Sequence, residues 1–314
     1  MDFRRWRRRM MRVVAERLTL YREFSRPFTL LPPLIGFLSG SVTAYGAPPA
    51  LETVPWIYPI LGAVMAATLN AASNALNQIC DLGIDRITKP DRPLPSGRLG
   101  LAEAWWFTAV CWALSLVAAW FVSPGGRHEC FWIVVVASFF VWMYSAPPLR
   151  TKRLGILANL TVAIPRGLLL KVAGWSALKT VSDPEPWFIG LIFGLFLLGA
   201  TTTKDFSDIA GDRAGCCRTL PVVHGPRGAA WRIAPFFVLP FVLIPVGVRT
   251  GLLTGNPVLL DALGVALVLY GAFTAWLMLR RPDELATDSN HVSWRHMYLM
   301  MMVAQLGFAF AYLV

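Results

Sequence analysis

Three side chains, Asn77, Asp81 and Asp85, lie in the stretch NQICDLGIDRITKPDRPLPSG, which runs from Asn77 to Gly97. They are four residues apart. Four residues turn a helix by about 400°, so all three fall on one face, one above the next. The stretch follows an apolar run long enough to cross a bilayer, and carboxylates stacked at a membrane helix end are costly unless a cation sits on them. A divalent ion carrying a phosphate-rich ligand suits that position. Mg2+ takes hard oxygen ligands and is commonly held by a few carboxylates together with substrate phosphates.

A second stretch repeats the style. KDFSDIAGDRAGCCRTLPVVHG, from Lys204 to Gly225, carries Asp205, Asp208 and Asp212 at spacings of three and four, again one helical face. Basic residues, a Leu-Pro pair and a glycine follow, as they do after the first triad. One triad alone reads equally well as solvated loop charge. Two triads at parallel positions, each among arginines and lysines, point to metal ligands plus cations. Such a set neutralises a diphosphate leaving group while its carbon–oxygen bond breaks.

The elements that must position these residues are membrane helices. The 314-residue chain is 56% hydrophobic and only 15% charged, with 13 Trp and 19 Phe, and its mean hydropathy is +0.54. These values exceed those of soluble domains and predict an all-α polytopic membrane protein. Apolar segments of spanning length run roughly over 28–46, 54–79, 101–122, 130–144, 156–178, 187–203, 229–248, 258–279 and 297–314. The expectation is nine transmembrane helices, arranged as two four-helix halves plus one. Five cysteines, odd in number and without paired spacing, argue against a disulfide framework or zinc site.

The net charge of +11 is distributed for a membrane surface and excludes a nucleic-acid reading. Nine arginines between Arg4 and Arg26 alternate with apolar residues every three or four positions. Residues 1–26 therefore read as a basic amphipathic interfacial helix, and 27–314 as the membrane domain. With that helix cytoplasmic, the connections after spans two, four, six and eight are cytoplasmic too. They hold nearly all remaining Lys and Arg, whereas the opposite side keeps Arg127, Lys179 and Arg249. This places both aspartate triads and the N-terminus on the cytoplasmic side and the C-terminus opposite. A prokaryotic inner membrane is the expected location.

The chain resembles the UbiA superfamily of intramembrane prenyltransferases. The resemblance rests on SRPFTL, NQICDLGID, PDRPLPSG, YSAPPLR, KDFSDIAGD and TLPVVHG, which together span nearly the whole sequence. It implies a nine-helix bundle around a chamber open sideways to lipid, in which isoprenyl diphosphate binds through Mg2+ held by both motifs. The prenyl group then passes to a lipophilic acceptor, with release of diphosphate. Carried over by residue, the metal set is Asn77, Asp81, Asp85, Asp205, Asp208 and Asp212. Arg26, Arg86, Lys89, Arg92, Lys152 and Lys204 are candidates for the diphosphate oxygens. Tyr144 and Ser145 match the family's Tyr-Ser pair near the donor, with Tyr144 facing the developing allylic cation.

Span five holds Arg166 and Lys171, and ionisable groups inside a membrane segment are functional candidates. Five residues separate them by roughly 140° on a helix, so they need not share a target. Both are expected to bind substrate on the acceptor side, where an acidic or phosphate-bearing acceptor would suit them. His224 reads as a structural residue in a loop. PDRPLPSG and YSAPPLR resemble chlorophyll and bacteriochlorophyll synthases and archaeal ether-lipid prenyltransferases, whereas NQICDLGID and PRGLLL resemble homogentisate prenyltransferases. The expected acceptor is a quinone-type aromatic or a lipid-like molecule. A transporter with intramembrane carboxylates and a non-catalytic prenyl-lipid-binding scaffold are the competing classes.

Overall fold

The computed structural model describes residues 3–287 and 292–314; in the first helix the side chains of Arg4, Arg5, Trp6, Arg8, Arg9 and Val13, on which part of the expected amphipathic face rests, lie outside the described set. Every regular element among the described residues is helical. Helix α1 (Phe3–Ser25) is followed by α2 (Leu31–Gly46), α3 (Ile57–Cys80), the short α4 (Leu82–Thr88), α5 (Leu101–Phe121) and α6 (Glu129–Ser145). Helix α7 (Ile156–Ala163) continues through a π-helical turn, Ile164–Leu169, into α8 (Leu170–Ser176). Then come α9 (Pro184–Ala200), the short α10 (Ile209–Ala214), α11 (Leu220–Ile233), α12 (Leu239–Arg249), α13 (Pro257–Arg280) and α14 (Val292–Leu313).

Eight helical segments among the described residues are long and apolar enough to cross a bilayer, and α6, with 17 residues, is a shorter apolar helix. Their outer faces carry large apolar side chains in rows, such as Trp106, Val110, Leu114 and Phe121 on α5. That surface suits lipid, since in water it would be a costly apolar belt. Beside a smaller cluster that holds Leu20 and Phe24 of α1 against Ala75 and Ile79 of α3, two large interior clusters form. One gathers Phe37, Met65, Ile133 and Val172 from α2, α3, α6 and α8, and the other gathers Phe196, Phe237, Phe241 and Phe308 around α9 and α11–α14.

Helix α1 exposes Met10, Val14 and Leu18 but buries Leu20 and Phe24. Its second half is tied down by Tyr21 and Arg17 on Glu103 and by Arg98 on Glu23. One sequence expectation fails locally: 220–233 is helical rather than a loop, so His224 sits on α11 as an exposed residue beside a kink at Gly225.

Candidate active site

Both aspartate triads end a long helix, and both use the same backbone device. Asp81 terminates α3 and starts α4 with φ −99° and ψ 9°; Asp208, at the start of α10, has φ −103° and ψ 9°. At Asp81 the four-residue hydrogen-bond step survives the break, from Asp81 N to Asn77 O (2.9 Å) and from Asp85 N to Asp81 O (2.8 Å), whereas at Asp208 a three-residue bond to Asp205 O (3.2 Å) leads in and a four-residue bond from Asp212 N (2.8 Å) leads out. The carboxylates therefore stay on one face while the chain turns away from the membrane helix. The two short helices pack closely: a Cβ added at Gly211 on α10 would lie 2.8 Å from Thr88 Cγ2 of α4. A larger side chain there would force the triads apart.

The two triads line one cavity of about 120 Å3. Asn77, Asp81, Asp85, Asp205, Asp208 and Asp212 all face it, as do Arg26, Lys89, Arg92, Lys152, Lys204 and Tyr144. Three aspartates are ion-paired. Asp81 accepts from Arg150 (2.9 Å) and Lys152, Asp85 from Arg92 (2.8 Å), and Asp208 from Lys89 (3.0 Å). Asp212 accepts from Thr219 Oγ1 at 3.1 Å. Lys204 donates to the Tyr144 hydroxyl at 3.2 Å and lies 5.5 Å from that ring's centre.

Burial shows in the carboxyls of the second triad. Burial pushes Asp205 up to about 7, Lys204 opposing and Asp212 and Asp208 assisting. Asp212 is also raised by burial. Burial works against the charge of Lys152, but Asp81, Tyr144 and Cys217 together hold it above its usual value.

Arg26 enters the cavity from a strained turn. Its φ of 56° is left-handed, rare for a residue with a Cβ, and such outliers persist only where surroundings over-determine them. The determinants lie on α3. Gln78 donates to Phe24 O (2.8 Å), Asn74 to Ser25 O (3.0 Å) and Thr29 Oγ1 (2.7 Å), and Asn70 to Thr29 O (2.8 Å). Burial and nearby Arg92 pull Arg26 down to about 10, while Asp85, Asp81 and Asp208 pull it up.

Not every expected residue reaches this cavity. Arg86 is exposed and outside its lining. Ser145 is buried, its hydroxyl without a protein partner among the described residues. Arg166 lines a second, apolar cavity of about 60 Å3, walled by Phe37, Met65, Leu69, Ile133, Val141 and Leu169. Lys171 lines neither: it is 2% exposed, its ammonium 3.3 Å from Gly36 O and 4.1 Å from the centre of the Phe193 ring. Conversely, the sequence did not single out Arg150, Thr219 or the α3 amides for the site. Asn70, Asn74 and Gln78 recur every four residues, and that spacing in an apolar run was their available signal.

The donor set fits Mg2+. The cavity offers carboxylate and amide oxygens and no thiol or imidazole among its lining residues, and Thr201 Oγ1 is buried there without a protein partner among the described residues. Among the described residues no three His, Cys, Asp or Glu side chains gather tightly enough to hold an ion alone. An ion shared between one or two carboxylates and substrate phosphates is the arrangement such a set permits.

Comparison with known proteins gives the family and the fold. Residues 30–299 match the UbiA prenyltransferase family. The chain belongs to that family. It is 30% identical over 286 residues to the bacteriochlorophyll synthase 33 kDa chain of Cereibacter sphaeroides, covering 90% of each chain. It is 28% identical over 295 residues to the digeranylgeranylglyceryl phosphate synthase of Thermococcus kodakarensis, covering 93% of this chain and 97% of that one. The fold is similar to that of a UbiA homologue from Archaeoglobus fulgidus solved with GPP and Mg2+, with a TM-score of 0.72 at 19% identity over 93% of this chain and 99% of that one. This UbiA family member is thus an integral-membrane prenyltransferase.

Proposed function

We infer that the protein moves an isoprenyl group from an isoprenyl diphosphate to a hydrophobic, quinone-type aromatic or lipid-like acceptor, with Mg2+ bound at the acidic cavity. The observation that carries this reading is the convergence of both aspartate triads and five basic side chains on one cavity. Five acids and five bases balance each other, so the cavity suits a ligand whose own charges are nearly balanced, such as a diphosphate with its metal. Asn77, Asp81, Asp85, Asp205, Asp208 and Asp212 are the proposed holders of Mg2+. When bound, it would draw negative charge off the departing diphosphate.

The protein's own groups do the rest. Lys89, Arg92 and Lys152, now paired with Asp208, Asp85 and Asp81, are placed to turn onto phosphate oxygens, with Arg26 and Lys204 beside them. Tyr144 offers an aromatic face to the allylic cation as the bond breaks. The apolar cavity lies along α3 from the acidic one and is proposed to take the prenyl chain, sheltering the cation from water.

The same reading extends to architecture. With α6 included, whose 17 residues reach about 26 Å at 1.5 Å per residue, the spans number nine, and the interfacial helix covers residues 1–26 ahead of a membrane domain at 27–314. The matched backbone at Asp81 and Asp208 supports two related halves plus α14. Both triads, the N-terminus and the basic loops are assigned to the cytoplasmic side of a prokaryotic inner membrane, and the C-terminus to the other. Incubating membranes containing the protein with labelled geranylgeranyl diphosphate, with Mg2+ or EDTA, and identifying the labelled lipid by mass spectrometry tests the reading; transfer unaffected by EDTA would defeat it.

A further inference from the structure

Arg166 lies midway along the 21-residue apolar span Ile156–Ser176, yet among the described residues it has no ion pair. Its one hydrogen bond there runs from Nη2 to Ser73 Oγ at 3.3 Å. The contrast with Lys171 is informative. Lys171 is packed away against a carbonyl and a ring, whereas Arg166 keeps accessible surface because it faces the apolar cavity. A guanidinium presents a planar fork of donors suited to bidentate contact with carboxylate or phosphate, and here most of that fork is unused.

The backbone around it is built to hold this orientation. Arg166 sits in the π-helical turn Ile164–Leu169, a geometry that inserts an extra residue and re-aims side chains, frequently at functional sites. The next position, Gly167, is clamped to α9: a Cβ there would come 2.6 Å from Gly194 Cα, and one at Gly190 would come 2.7 Å from Leu168 O. The turn cannot roll without separating the two helices.

Its position is a junction. Ser73 precedes Asn77 by one helical turn on α3, and Val162 precedes Arg166 by four residues; Asn77 and Val162 line the acidic cavity, Ser73 and Arg166 the apolar one. Four residues are about 6 Å along a helix axis. Arg166 is also within electrostatic reach of Lys204 and of the Tyr144 phenol. On the functional reading above, on which this inference rests, that junction is where the prenyl carbon becomes cationic. An uncompensated guanidinium beside it would oppose ionisation. The diphosphate already has five basic residues of its own, so the anion left for Arg166 must come from the other substrate.

We propose that Arg166 anchors an anionic group, carboxylate or phosphate, carried by the prenyl acceptor. Pairing with that group neutralises the guanidinium before the donor ionises, which couples bond cleavage to acceptor occupancy.

The test uses the full-length protein in nanodiscs with two matched probe pairs: geranylgeranylglyceryl phosphate against geranylgeranylglycerol, and homogentisate against its methyl ester. Binding of each, and of geranylgeranyl diphosphate with Mg2+, is measured for wild type, R166K and R166Q. The charged member of at least one pair should bind more tightly than its neutral partner. That preference should fall about tenfold in R166Q, as for one lost charge-assisted contact, and recover in part in R166K. Donor affinity should stay unchanged. The pair that shows the preference tells phosphate from carboxylate. No charged preference in wild type, equal losses for charged and neutral members, or a loss on the donor instead overturns the assignment. Mg2+-dependent donor binding that persists in Asp85→Asn and Asp208→Asn would overturn the functional reading, whatever Arg166 does.

Discussion

Lys89 Nζ lies 3.0 Å from Asp208 Oδ1, an ion pair between residues 119 apart that ties the loop after the first aspartate triad to the second. Both side chains are more than 30% exposed, so solvent screens the pair and its contribution to stability is within about 1 kcal/mol. Its value lies in placing a cation at the seam between triads. Lys89→Met should leave the thermal midpoint nearly unchanged and lower prenyl transfer about tenfold or more, about 1.4 kcal/mol of transition-state stabilisation. A thermal melt beside a radiolabel transfer assay checks both halves.

Asp81 behaves differently because it is buried. It is ion-paired with both Arg150 and Lys152, and Arg150 also donates to Cys80 O at 3.0 Å. Removing one partner of a buried charge cluster leaves the others unpaired, at a cost of about 3–5 kcal/mol. Asp81→Ala should therefore lower stability markedly as well as activity. Asp81→Ala melting with the wild type would contradict this.

Asp205 makes no ion pair among the described residues, and burial pushes its carboxyl up to about 7 against the opposing charge of Lys204. For an acid whose folded value is raised, the folded state holds the proton more tightly, so stability falls as pH rises from the unfolded value near 4 through about 7. In EDTA, Asp205→Asn should match wild type in stability at low pH and exceed it above neutrality, while losing transfer in Mg2+. Melting curves across that range decide it; a variant less stable than wild type at high pH rejects the account of this carboxyl.

Gln78 tests the positioning of Arg26. Its side chain is 1% exposed and satisfies the carbonyl of Phe24 ahead of the left-handed turn. Gln78→Leu leaves that carbonyl unpartnered and should cost about 1–3 kcal/mol. If the turn aims Arg26 at diphosphate, the donor KM rises more than kcat falls, and Gln78→Asn, which keeps an amide donor on a shorter arm, restores more than Gln78→Glu, whose carboxylate only accepts. A uniform fall in kcat at constant KM would make Gln78 merely structural.

Local regularity explains what the sequence revealed. Asn77, Asp81 and Asp85 are legible because helical spacing is periodic, and the same step continues through the break at Asp81. Asp205, Asp208 and Asp212 follow the same logic. The contacts that make these residues a site are non-local, and spacing says nothing of them: Lys89 with Asp208, Arg150 with Asp81, and Gln78 with the end of α1. The separation of Arg166 from Lys171 follows from helical angle, but the π-helical turn that aims Arg166 at the cavity has no periodic signature. His224 was misplaced because Gly225 and Pro226 read as loop residues, whereas here they only kink a helix.

The central claim, that both triads serve one metal-dependent ionisation, meets its most direct test in transfer of label from geranylgeranyl diphosphate by Asp85→Asn and Asp208→Asn, one variant from each triad. Each is assayed with Mg2+ and with EDTA after folding has been checked by thermal melt. The account predicts Mg2+-dependent transfer in wild type and its loss in both folded variants. Full transfer by either folded variant would contradict it.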